Sequence, residues 1–144
     1  MIDVLIADDH PLVRRSIGEL LDDSAGLSVV AQCEDGDQVL DAVLRHRPHV
    51  ALLDLRMLRV SGLEAAREVR AASDTRVLLV TGSWTADLRA SAEEAGVSGL
   101  VLKGEDPSLL PHAVRRVAAG GTFWGPARRG RADQFLPDSS TWDT

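Results

Sequence analysis

The feature that most limits the fold is an alternation. Five short apolar runs, at residues 2–7, 27–33, 50–53, 77–80 and 99–102, are each followed by apolar residues at helical spacing. Continuous runs of this kind suit strands buried on both faces, as in a parallel sheet. The helical stripes are Leu12, Ile17, Leu20 and Leu21 behind Pro11, then Val39, Leu40, Val43 and Leu44 up to Pro48. They continue with Leu63, Ala66 and Val69 after Gly62, Leu88, Ala92 and Ala95 up to Gly96, and Leu109, Leu110, Ala113, Val114 and Val117 up to Gly120-Gly121. Proline suits a first helical turn and glycine the residue past a helix end. The alternation predicts an α/β sandwich with a parallel sheet and right-handed crossovers. Pro111 allows two starts for the last helix. A start near Asp106-Pro107 puts the proline past the first turn, where it removes a hydrogen bond. A start near Leu110 leaves residues 106–109 as an extended loop.

The 144 residues fit one domain. Periodicity ends near Gly121, so residues 1–121 read as the domain and 122–144 as a disordered tail or truncated linker. Arg128, Arg129 and Arg131 in that tail are offset by Asp133, Asp138 and Asp143, as in a solvated segment. The net charge of −6 argues against DNA binding by bulk charge. A single cysteine, Cys33, excludes an intrachain disulfide and fits a reducing, cytoplasmic setting. No run approaches the ~18 apolar residues of a membrane span. The N-terminus lacks a secretory signal pattern. Membrane and secreted classes are therefore not expected.

In an open α/β sheet, ligands bind outside the carboxyl ends of the strands. There the sequence places Asp8 and Asp9 after the first run, Asp54 after the third, Thr81 after the fourth and Lys103 after the fifth. Lys103 is the lone lysine beside fifteen arginines. Clustered carboxylates favour a hard divalent cation such as Mg²⁺. A divalent ion plus an ammonium makes a seat for phosphoryl oxygens. A carboxylate can itself accept the phosphoryl group. Each residue also has a blander reading. Asp9 or Asp54 could be a helix N-cap, Thr81 a strand residue or cap, and Lys103 a surface charge. Those readings must place five matched side chains on one edge by coincidence. His10 reads as positioning its loop, His46, His49 and His112 as surface or helix-end residues, Cys33 as inert, and Trp84 as ordinary packing.

The stretches Val4-Leu5-Ile6-Ala7-Asp8-Asp9-His10-Pro11, Ala51-Leu52-Leu53-Asp54, Gly62-Leu63-Glu64-Ala65, Val77-Leu78-Leu79-Val80-Thr81 and Gly99-Leu100-Val101-Leu102-Lys103 carry a family resemblance. The chain resembles the receiver domain of bacterial two-component response regulators, in the LuxR/NarL-type branch. The resemblance implies a doubly wound (βα)5 three-layer sandwich with a five-stranded parallel sheet, the flavodoxin-like receiver fold. It implies that Asp54 is the phosphoacceptor and that Thr81 and Lys103 contact the phosphoryl group. It further implies that Asp8, Asp9, Asp54 and the backbone carbonyl of Arg56 hold Mg²⁺. The implied role is a switch rather than a turnover enzyme, with a sensor histidine kinase as donor and a homodimer through a helix face. Three positions depart from the pattern. Leu58 stands where receivers usually carry proline, Leu100 replaces the usual switch aromatic, and Gly104 replaces a common aspartate. They bear on signal output more than on phosphorylation. Three other classes compete. An interaction module controlled without phosphorylation is favoured by Leu58 and Leu100 but opposed by the intact acidic set. A phosphatase with an aspartate nucleophile usually has a second acid where Arg56 stands. The third is the regulatory half of a DNA-binding LuxR-type regulator; these residues alone are not expected to bind DNA.

Overall fold

The computed structural model describes residues 1–125. The arginine cluster and most of the expected tail lie outside the described residues. In chain order the elements are β1 (Ile2–Ala7), α1 (Pro11–Asp22), β2 (Leu27–Cys33), α2 (Val39–His46), β3 (Val50–Asp54) and α3 (Gly62–Ala72). They continue as β4 (Arg76–Thr81), α4 (Ala86–Glu94), β5 (Gly99–Leu102), α5 (Leu109–Ala118) and β6 (Phe123–Trp124). The strands pair in parallel in the order β2-β1-β3-β4-β5-β6. The winding direction reverses between β1 and β3, the crevice in which open α/β sheets hold ligands.

Successive strand residues point to opposite faces, and the two faces have separate cores. Val4, Ile6, Val50 and Leu52 pack with Leu21 of α1 and with Leu110, Ala113, Val114 and Val117 of α5. Leu5, Ala7, Ala51 and Leu53 pack with Val39 and Val43 of α2, Ala65, Ala66 and Val69 of α3, and Ala92 of α4. Two helices thus cover one face and three the other, which is the doubly wound, three-layer arrangement. Every residue of β3 is buried. Each fully buried leucine contributes about 1.5–3 kcal/mol by leaving water, so the central strands anchor the sheet edge that carries the polar residues.

Two details differ from the sequence reading. Helix α5 begins at Leu109, so Pro111 lies in its first turn, where a missing N–H loses no helical bond. The segment before it is a tight turn rather than an extended loop. The Leu109 N–H donates to the Asp106 carbonyl (3.0 Å), and the Asp106 carboxylate accepts from Ser108. The second difference is β6. Phe123 and Trp124, placed beyond the domain by the loss of periodicity, pair with Gly99 and Leu100. Gly99 permits this, because a Cβ there would collide with the Phe123 carbonyl. Phe123 joins the α1/α5 core and Trp124 the opposite one, where the Arg89 guanidinium lies 4.7 Å from its ring centroid.

Candidate functional site

The polar residues at the strand ends gather where the winding reverses. Asp8 prolongs β1, since its N–H donates to the Cys33 carbonyl at 3.1 Å. Its side chain is buried and partly structural. Oδ1 accepts from the His10 N–H at 2.8 Å, which sets the start of α1, and the Asp8 carbonyl accepts from Arg14 Nη1 at 2.7 Å. Asp54 is the last residue of β3 and only 4% exposed. Lys103 follows β5 directly. Its Nζ lies 3.1 Å from Asp54 Oδ1 and 3.7 Å from Asp8 Oδ2. Its N–H donates to the Thr81 carbonyl at 2.8 Å, which ties the ends of β4 and β5 together.

None of the helix-cap alternatives describes these side chains. His10 precedes α1, Ser61 caps α3 through the Glu64 N–H, and Thr85 caps α4 through the Leu88 N–H. Thr81 lies at the same edge with its hydroxyl engaged in its own loop. It donates to the Ser83 carbonyl at 2.8 Å and accepts from the Ser83 N–H at 3.3 Å. Arg56 is exposed in the loop between β3 and α3.

Asp8, Asp9, His10 and Asp54 each place a ligand atom within 4.8 Å of the others. Burial pushes the Asp54 carboxyl above its ordinary range; the Asp8 and Asp9 charges push the same way, and the Lys103 ammonium opposes them. Asp8 Oδ2 and Asp9 Oδ1 are buried without an aligned hydrogen-bond donor. Carboxylate oxygens left so are costly, and a hard cation with oxygen ligands fits this set. His10 Nδ1 stands 3.1 Å from Asp9 Oδ1 and 3.3 Å from Asp8 Oδ1, on the solvent side.

Other residues settle into structural roles. Burial pushes the Cys33 thiol up to about 11, so little thiolate forms at neutral pH. Trp84 is buried in the α2/α3/α4 core, and its indole N–H has no partner there. Leu100 is fully buried in that same core. The His49 ring accepts from the Asp3 N–H, and His112 meets Phe123 edge-on. Two residues beside the site were not singled out from sequence. Arg14 belongs to α1, and a helical arginine carries no sequence signal of its partner. Asp35 precedes Gly36, and that pair reads as an ordinary turn.

Residues 4–115 match the response regulator receiver domain, and the chain belongs to that family. It is 36% identical over 127 residues to the response regulator GacA of Pseudomonas aeruginosa, an alignment covering 88% of this chain and 59% of GacA. The chain thus spans about three fifths of the length of the curated relatives it matches. Its structure is similar to the signal receiver domain of NarL from Mycobacterium tuberculosis, with a TM-score of 0.79 and 34% identity over 83% of this chain and 97% of that one. It is also similar to the isolated receiver domain of RcsB from Salmonella enterica serovar Typhimurium in the presence of the phosphomimetic BeF3⁻. There the TM-score is 0.76 and the identity 25%, over 86% and 93% of the two chains. The NarL-type branch and the parallel receiver fold read from the sequence are those of these relatives.

Proposed function

We propose that the domain is a two-component signalling switch that takes a phosphoryl group on Asp54, in a reaction that needs Mg²⁺. The observation that carries this reading is the buried Asp54 carboxylate, 3.1 Å from the Lys103 ammonium, beside Asp8 Oδ2 and Asp9 Oδ1, which are buried and accept no hydrogen bond. An Asp54 oxygen attacks phosphorus while the bond from phosphorus to the donor's nitrogen breaks, leaving an aspartyl-phosphate. Lys103 takes one phosphoryl oxygen. The Thr81 hydroxyl takes another and must give up the Ser83 carbonyl to do so. Asp8, Asp9, Asp54 and the Arg56 carbonyl would hold the Mg²⁺, which would neutralise charge on the phosphoryl oxygens. The NarL-type likeness, and the phosphomimetic used with the RcsB domain, support the same chemistry here.

In this reading the domain is cytoplasmic and the donor is a sensor histidine kinase. Leu12 and Val13 at the start of α1 and Leu58 in the loop after Asp54 are exposed, an apolar rim on the edge that carries the acceptor. The chemistry stays limited to the domain's own phosphorylation and dephosphorylation, and any homodimer uses a helix face. Titration with beryllofluoride and Mg²⁺ tests the reading by calorimetry. Saturable binding to the wild type that disappears in Asp54→Asn is expected. Equal heats for both proteins would refute the assignment of Asp54.

A further inference from the structure

Asp35 is buried, 8% exposed, yet lies outside the acidic cluster. It follows β2 by two residues, at the same edge of the sheet as the site. Its Oδ1 accepts from the Gly36 N–H at 2.7 Å, closing the turn that leads into α2. Two further partners are 24 and 25 residues away. The Arg59 N–H is 2.9 Å from Oδ2 and 3.1 Å from Oδ1, and the Val60 N–H donates to Oδ1 at 2.9 Å. Arg59 and Val60 belong to the loop of residues 55–61, which leaves the acceptor strand at Asp54 and re-enters the fold at α3. The contact is close on the backbone side as well, since a Cβ on Gly36 would collide with the Val60 carbonyl. Burial disfavours the charged Asp35, but the N–H donors of Val60, Arg59, Gly36 and Asp37 outweigh it and hold its carboxyl below the usual range. The Arg59–Asp37 ion pair beside it is exposed and adds little.

That loop carries Arg56 and Leu58, and Leu58 lacks the fixed φ of a proline. Something else must hold the loop against the acceptor. We propose that Asp35 is a positioning residue for the phosphoacceptor site: its carboxylate clamps the far end of loop 55–61 and fixes the backbone that follows Asp54. Asp35 touches neither the phosphoryl group nor the metal and acts through the loop. The inference rests on the reading of Asp54, Asp8 and Asp9 given above.

The test uses the whole chain with Asp35→Ala, Asp35→Asn and Asp37→Ala, under conditions where circular dichroism shows each variant folded. Three quantities are read: amide exchange of residues 55–61, Mg²⁺ affinity by calorimetry, and the initial rate of phosphorylation by acetyl phosphate at saturating Mg²⁺. In Asp35→Ala the Arg59 and Val60 amides should exchange at least about tenfold faster, and Mg²⁺ should bind about tenfold more weakly, the usual loss when a ligand's supporting contact is removed. Phosphorylation should slow even with Mg²⁺ saturating. Asp35→Asn keeps an acceptor oxygen for Gly36 and Val60 and should recover part of each loss. Asp37→Ala should match wild type. If Asp35→Ala loosens the loop while Mg²⁺ affinity and rate stay at wild-type values, Asp35 is only structural and the proposal is overturned. Unchanged exchange at Arg59 and Val60 overturns it too. If wild-type protein takes no phosphoryl group, the reading of Asp54 falls instead, and the exchange and Mg²⁺ results still decide the clamp.

Discussion

At Asp54, burial beside two other carboxylates works against the ionised side chain in the folded state. An acid whose pKa is raised on folding contributes stability below its unfolded pKa, and that contribution is lost as pH rises through the raised value. Asp54 is such an acid, because burial and the Asp8 and Asp9 charges disfavour its ionised form. At neutral pH without Mg²⁺, Asp54→Asn should therefore raise Tm, by about 4 °C for each kcal/mol of strain relieved in a domain of this size. The gain should shrink with Mg²⁺, and as pH falls toward the ordinary carboxylate range. Scanning calorimetry at two pH values reads it, and a variant no more stable than wild type at neutral pH would contradict the shift. Asp8 and Asp9 should differ in kind. Asp8 already spends Oδ1 on the His10 N–H, so Asp8→Ala should cost about 1–3 kcal/mol in urea as well as metal affinity. Asp9 is partly exposed, and its Oδ1 accepts no hydrogen bond, with only the exposed His10 ring beside it. Asp9→Ala should leave stability within about 0.5 kcal/mol and weaken Mg²⁺ binding more than Asp8→Ala does. The reverse ranking in calorimetric titration would exchange their roles.

Among the elements, β5 and its new neighbour reshape what Leu100 means. From sequence, Leu100 reads as a missing aromatic. In the fold it is fully buried, in register with Trp124 of β6 and in one core with Trp84. The aromatic volume on this face comes from the loop after β4 and from β6 instead. A tyrosine at position 100 must therefore enter a filled core and should cost about 1–3 kcal/mol by overpacking. Trp124→Ala destabilises in its own right, but in that background the added cost of Leu100→Tyr should fall. A double-mutant cycle by chemical denaturation measures the coupling, and additive effects would show that the two sites do not share space. Strand β5 occupies the run read from the sequence because it is apolar and buried along its whole length, and β1 and β2 because their apolar runs are stopped by polar residues. A two-residue strand such as β6 has no period to read. Its only signal, two large aromatics just past a helix-ending glycine pair, also occurs in tails.

Over the whole molecule, the legible part of the site is the part the topology dictates. Parallel strands must present their carboxyl ends at one edge, so Asp8, Asp9, Asp54, Thr81 and Lys103 could be gathered from sequence order alone. What could not be read is what holds them in place. Asp35 grips N–H groups 24 and 25 residues away, and Arg14 reaches back to the Asp8 carbonyl. A turn aspartate and a helical arginine look the same without such partners. The Thr81 hydroxyl donates to the Ser83 carbonyl and so holds its own loop. A ligand that takes the hydroxyl must release that loop, because a ligand shifts a conformation only through contacts that differ between states.

The central proposal is that Asp54 is the acceptor and depends on Mg²⁺ held by the acidic cluster beside it. Intact mass measured after incubation with acetyl phosphate, with Mg²⁺ or with a chelator, tests it most directly. The wild type should gain the mass of one phosphoryl group with Mg²⁺ and little with the chelator, and Asp54→Asn should gain none in either. The same gain in Asp54→Asn, or a wild-type gain indifferent to the chelator, would contradict the account.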